Sequence, residues 1–154
     1  MIVIAAAGAG RSDDDRADRR QFSEPSEMKG YKKMKVDDLD PSTPLMSQFQ
    51  QKNGPVTLIN TIMVPRELMS EFLATFQEDA SFMKASPGFI SAQLHRGTAD
   101  SQLLVNIAVW ESTEALFAAF SNPAFQAKAS QYPDGIVAYP HVFEKIAVDG
   151  VCVA

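Results

Sequence analysis

PVTLINTIMVP at 55–65, SPGFISAQLHRG at 86–97 and QLLVNIAVWES at 102–112 are three β-like runs in one continuous stretch. The first is rich in β-branched residues and mostly apolar, the pattern of a strand covered on both faces. Alternation places Leu58, Asn60 and Ile62 on one face and Ile59, Thr61 and Met63 on the other. Pro65 ends the run and suits the first position of a helix. Leu68, Phe72, Leu73, Phe76, Ala80 and Met83 then recur at spacings of three and four, an apolar stripe for a sheet. Glu67, Glu71, Glu78 and Asp79 are expected on the opposite side or its flanks.

Ser86-Pro87-Gly88 punctuates the chain. The run from Phe89 to Arg96 alternates Phe89, Ser91, Gln93 and His95 against Ile90, Ala92, Leu94 and Arg96, a half-polar strand nearer a sheet edge. After the GTADS loop, Gln102–Trp110 sets Leu104, Asn106, Ala108 and Trp110 against Leu103, Val105, Ile107 and Val109. Ser112 can cap a helix carrying Leu116, Phe117 and Phe120. Asn122-Pro123 restarts a shorter one carrying Phe125 and Ala129. Ile136–Val148 is the expected last strand, interrupted by Pro140. The order β-α-β-β-α-β is that of a ferredoxin-like α+β domain, with bounds expected at 55–150.

Residues 1–54 differ in kind. They hold nine of the fourteen basic and nine of the nineteen acidic residues, so residues 55–154 carry the whole net charge of −5. RSDDDRADRRQ has dense mixed charge and no apolar period, so burial cannot offset its ordering entropy. Residues 1–54 therefore read as an extension, largely disordered or an arm. The part before about Met28 is expected to be dispensable, and Met28 and Met34 are alternative starts. DDLDPSTPLMSQFQ from Asp37 is expected to wrap the domain as an arm or short helix. GAGR at 8–11 lacks the Lys-Ser/Thr ending of a phosphate-binding loop. An acidic chain without a clustered basic face argues against nucleic acid. The one cysteine, Cys152, excludes an internal disulfide. No apolar run approaches a membrane span, and MIVIAAAGAG lacks the basic start of a signal peptide. A cytoplasmic protein is expected.

LINTIMVP, ASPGFISAQLHRG and NIAVWESTEALFAAFSNPAF, in that order and spacing, resemble the antibiotic biosynthesis monooxygenase family of dimeric α+β barrels. The resemblance covers about Asp40 to Val148. It implies a homodimer with a pocket between sheet and helices in each subunit. It also implies oxygenation of polycyclic phenols or quinols by O2 without metal or flavin. A haem-degrading branch of the family uses an asparagine on the first strand, a tryptophan ending the third and a histidine on the helical segment that follows. Asn60 and Trp110 match the first two. The histidine position falls near Ala129 in FQAKASQY and has no counterpart. No cofactor is therefore expected, with haem as the alternative, and no metal, since the chain has no ligand pair at metal spacing.

Asn60 and Trp110 are the expected catalytic residues. A mid-strand asparagine is either satisfied by neighbouring backbone or faces a ligand. As a ligand contact, its amide would donate to a phenolate or carbonyl oxygen. Trp110 is either core or a stacking wall. Substrate-binding candidates are Leu58 on the Asn60 face, Phe76, Phe117, Phe125 and His95. The imidazole of His95 is the obvious base near neutral pH. Its strand position, however, places it about 20 Å along the sheet from Trp110. Two functions are in view: a cofactor-independent monooxygenase for a small aromatic substrate, or a dimeric module that holds haem or another apolar ligand without turnover.

Overall fold

The computed structural model describes residues 34–154. Expectations about the charged tail, the alternative start at Met28 and the GAGR segment lie outside the described residues. The elements run β1 (Lys35–Val36), α1 (Leu45–Gln48), β2 (Val56–Met63), α2 (Met69–Lys84), β3 (Phe89–Arg96), β4 (Leu103–Trp110), α3 (Thr113–Phe120), α4 (Pro123–Ala129) and β5 (Val137–Phe143). One 3-10 turn, Arg66–Leu68, leads into α2. The five strands form one sheet in the order β1-β5-β2-β4-β3. β4 is antiparallel to both β2 and β3, and β2 is antiparallel to β5. This is the ferredoxin-like α+β arrangement, with β1 added in parallel at the β5 edge. Among the described residues no helix is long and apolar enough to cross a membrane.

Local chemistry sets the element ends. The Ser112 hydroxyl accepts from the Ala115 N–H at 3.1 Å and caps α3. The Asn122 carboxamide accepts from the Ala124 N–H at 2.9 Å, with Pro123 opening α4. Gly88 has a φ of +80°, and a Cβ there would run into the Ala115 methyl. Only glycine lets the chain turn from α2 into β3 this close beneath α3.

Two expectations are corrected. The last strand ends at Phe143 rather than Val148, and Pro140 does not interrupt it. Pro140 pairs with Asn60. Two residues on, the Val142 N–H points away from β2 and donates to Gln48 Oε1 at 2.7 Å. By strand alternation the nitrogen of Pro140 faces the same way, past the end of the short β1, where the ladder needs no donor. The second correction is in β3. Phe89 pairs with Trp110 but Ser91 with Val109, a bulge at Ile90. Simple alternation fails there, and Phe89 joins Ala92 and Leu94 on the helix-covered face.

The helices cover one face of the sheet. Beneath them the core lies in two clusters, one around Val56, Trp110 and Leu116, the other around Ile62, Phe72, Leu104 and Ile136. The arm from Met34 to Gly54 closes one side, with Leu45 and Phe49 buried in the first cluster. Gln48 pins it to the sheet. Its Nε2 donates to Thr43 O (2.7 Å) and, with Nδ1 of His141 unprotonated, to that ring (3.0 Å). Gln48→Ala would leave the Val142 N–H without an acceptor. Urea denaturation should then show a loss of about 1–3 kcal/mol.

Candidate active site

The side chain of Asn60 lies in the middle of the sheet. β2 pairs with β4 so that Asn60 stands directly opposite Asn106. Opposed residues point to the same face, so two carboxamides sit side by side beneath the helices. The register puts Ala108 and Trp110 further along that face, with Trp110 about 13 Å of strand from Asn106. Above this row lies a cavity of about 120 Å³ between the two core clusters. Its sheet wall includes Leu58, Asn60, Asn106 and Trp110, and its helix wall Phe76, Asp79 and Phe125.

Four buried side-chain atoms among the described residues lack a hydrogen-bond partner: Asn60 Oδ1, Asn106 Oδ1, Trp110 Nε1 and Asp79 Oδ1. All four residues line this one cavity. A buried polar atom without a partner costs about 1–3 kcal/mol, and apolar packing gives no reason for four to converge. The amide oxygen and nitrogen exchange places by rotation, so each carboxamide can offer either a donor or an acceptor to a guest.

α2 brings the carboxylate. Phe72, Phe76, Asp79, Ala80 and Met83 all face the cavity, at helical spacings that make one stripe. The expectation that Asp79 lies on the polar side or its flank is therefore corrected. Asp79 occupies the apolar stripe seven residues after Phe72, and the same spacing count would have found it. Its Oδ2 accepts from the Tyr132 hydroxyl at 2.8 Å. Tyr132, 6% exposed, sits in the turn after α4, so this bond ties α2 to the α4 end of the helix layer. Burial raises the Asp79 carboxyl from 3.8 to about 6, against the opposing pull of the Tyr132 hydrogen bond and of the Lys128 charge. Burial, then Asp79 itself, pushes the Tyr132 phenol far above its usual range.

Of the residues picked out in sequence, Asn60, Trp110, Leu58, Phe76 and Phe125 line the cavity. His95 and Phe117 do not. His95 pairs with Val105 on the uncovered face of the sheet and is exposed. Phe117 points outward from α3, 37% exposed, and packs on Phe49 at 5.3 Å between centroids. Phe120, one turn on, lines the cavity in its place. Asn106, Asp79, Tyr132 and Phe89 were missed. Asn106 carried a signal, since it shares the Trp110 face and strands deplete asparagine. Phe89 meets Trp110 edge to face at 5.4 Å, a contact that depends on the bulge.

Phe76, Ala80, Phe89, Ala92 and Asn106 also line a more open groove of about 540 Å³ between α2 and β3. The cavity alone is of the size that holds one small ring. The groove beside it reaches the range of ligand pockets. The lining does not fit a haem-ligating site. It carries neither histidine nor cysteine, Ala129 stands where a helical ligand would be, and the Tyr132 hydroxyl is committed to Asp79 as a donor. Among the described residues no cluster of three or more His, Cys, Asp or Glu could hold a metal ion.

The described residues form a ferredoxin-like sheet with one face roofed by helices over a polar-cornered apolar cavity. Residues 55–130 match the profile of the antibiotic biosynthesis monooxygenase family, and the chain belongs to that family. The fold superposes on SnoaB, a cofactor-independent oxygenase from Streptomyces nogalater, with a TM-score of 0.58 and 26% identity, over 64% of this chain and 99% of that one. A monooxygenase-type protein from Shewanella loihica PV-4 matches with a TM-score of 0.52 and 29% identity, again over 64% and 99%. MhuD, in a structure with two manganese protoporphyrin IX molecules bound per active site, is 32% identical over 62% of this chain and 99% of that one, with a TM-score of 0.49. No curated protein sequence matches the chain significantly.

The raised Asp79 pKa has a stability consequence. Between the ordinary carboxyl range and pH 6 the folded protein holds this proton more tightly than the unfolded chain. Stability therefore falls as pH rises through that window and levels off above it. Asp79→Asn keeps an acceptor for Tyr132 and removes the buried charge. Its melting temperature should exceed that of the wild type by roughly 3–8 °C at pH 8, and the gap should close on going down to pH 4.

Proposed function

We propose that the protein is a cofactor-independent monooxygenase that uses O2 on a small aromatic substrate of the phenol or anthrone type. The observation that carries this reading is the convergence of four partnerless polar atoms on one otherwise apolar cavity. Ground-state oxygen is a triplet and reacts poorly with closed-shell molecules, so a site without redox groups must supply an electron-rich substrate anion. In this reading the carboxamides of Asn60 and Asn106 donate to the oxygen that carries the developing charge, in a dry setting where such donors act strongly. Trp110, 1% exposed and braced edge-on by Phe89, forms a rigid wall for the rings. In the net reaction, an anthrone methylene and one molecule of dioxygen give a ketone and one molecule of water. The competing reading, a module that holds haem, is disfavoured by a lining that carries neither histidine nor cysteine.

The homodimer belongs to this proposal. The sheet face opposite the helices exposes Met63, Leu103 and Phe143 at about 40% each, with Ile59 and Ile107 half-buried between them. No element of the described chain covers this face, and a second copy is the surface that would. Sedimentation at micromolar concentration should give twice the chain mass, and Ile107→Glu should shift it to one.

Oxygen uptake with anthrone tests the chemistry. Asn60→Ala should lower turnover by about 10²–10³ with the fold intact. Trp110→Phe should mainly raise KM, and His95→Ala should change little because that ring lies on the opposite face. Loss of activity in His95→Ala with Asn60→Ala unaffected would move the site to the hairpin end of the sheet.

A further inference from the structure

An oxygenation of this kind begins with loss of a proton from the substrate, and the cavity holds one group able to take it. Among the described residues, Asp79 and Tyr132 are the only titratable ones in the lining. The Tyr132 hydroxyl donates a hydrogen bond to Asp79 Oδ2, which leaves Oδ1 of this cavity-lining residue buried and without a partner. The sheet wall opposite presents the neutral carboxamides of Asn60 and Asn106. We propose that Asp79 is the general base of the reaction and that Tyr132 is its positioning residue.

The inference rests on the proposed oxygenation and names the proton acceptor which that reading leaves open. Asp79 Oδ1 takes a proton from the substrate methylene. The C–H electron pair moves into the ring system and onto the ring oxygen, which lies toward the carboxamides. The anion passes one electron to O2, and the resulting radical pair joins through a C–O bond as a peroxide anion. Asp79 returns its proton to the terminal peroxide oxygen. It then accepts the second methylene proton as the O–O bond breaks, and that proton joins the departing hydroxide as water. Substrate and O2 thereby give ketone and water, with no other oxidant or reductant.

The groups facing Asp79 set its pH response. Tyr132 donates to it, and Lys128 on α4 draws its pKa down, though Lys128 is shared with Glu78 at 3.8 Å. The sheet contributes no charge to the cavity wall. Burial outweighs these two and leaves a carboxylate that is ionised at neutral pH yet basic enough to act.

The proton step can be read without oxygen. Under nitrogen in deuterated water, the wild-type protein should catalyse exchange of the anthrone methylene protons, followed by NMR. The rate should rise with pH through a limb near 6. Asp79→Asn should lose about 10²–10⁴ of that rate, together with the limb. Tyr132→Phe should keep exchange but move the limb upward, since a hydrogen bond that favours the carboxylate is gone. Exchange in Asp79→Asn as fast as in the wild type, or wild-type exchange no faster than in buffer, would overturn the assignment. An unmoved limb in Tyr132→Phe would overturn the positioning role. Wild-type exchange without oxygen uptake would support Asp79 as a base and reject the oxygenation. If Asp79→Asn does not fold, the wild-type limb and its displacement in Tyr132→Phe decide the matter.

Discussion

The pairing of Asn60 with Asn106 across β2 and β4 governs the architecture around it. Two carboxamides side by side in the centre of a sheet cannot be packed over by aliphatic side chains without leaving their polar atoms stranded. The core accordingly does not close above them. It lies in two clusters, with Trp110 in one and Tyr132 in the other, and the cavity occupies the gap. The free energy forgone there has to be supplied elsewhere. The fully buried Val56, Leu104 and Leu116 stand in β2, β4 and α3, with Ile136 just ahead of β5.

The helix layer is held over this gap by polar ties as well as apolar contact. The Tyr132–Asp79 hydrogen bond joins the turn after α4 to the middle of α2, and a tilted contact of the Phe72 and Tyr132 rings, 5.3 Å between centroids, runs beside it. At the other end Gln48 fastens the arm to β5, while Phe49 meets Phe117 and Phe120 from α3. The same Asp79 that braces the roof lines the cavity and keeps one buried oxygen without a partner. One oxygen of the carboxylate is thus bonded into the roof and the other is left unmet. The roof is fastened at both ends, and on the α2–β3 side Phe76, Ala80, Phe89, Ala92 and Asn106 line both the cavity and the groove.

Period and punctuation in the sequence determined the element order, the helix caps at Ser112 and Asn122, and the cavity-facing positions of Leu58, Asn60, Phe76 and Trp110. These follow from rules that act within a few residues: alternation along a strand, a stripe along a helix, a side-chain oxygen reaching the next turn. The Asp79 position was legible by the same rules, because 72, 76, 79, 80 and 83 form one stripe. Residue type points the other way, because a carboxylate ordinarily faces solvent.

What only the tertiary structure decided depends on which chain segments meet. The bulge at Ile90 turns Phe89 onto Trp110, and no count along β3 reveals it, because a bulge is defined against a partner strand. Pro140 stands inside a strand because its nitrogen faces the place where β1 has already ended. Tyr132 finds Asp79 fifty-three residues away, and Asn106 finds Asn60 through the β2–β4 register. Residue type and spacing set what each side chain can do. Burial and pairing, which arise only when distant segments pack, select the side chains left facing one cavity with polar atoms unmet.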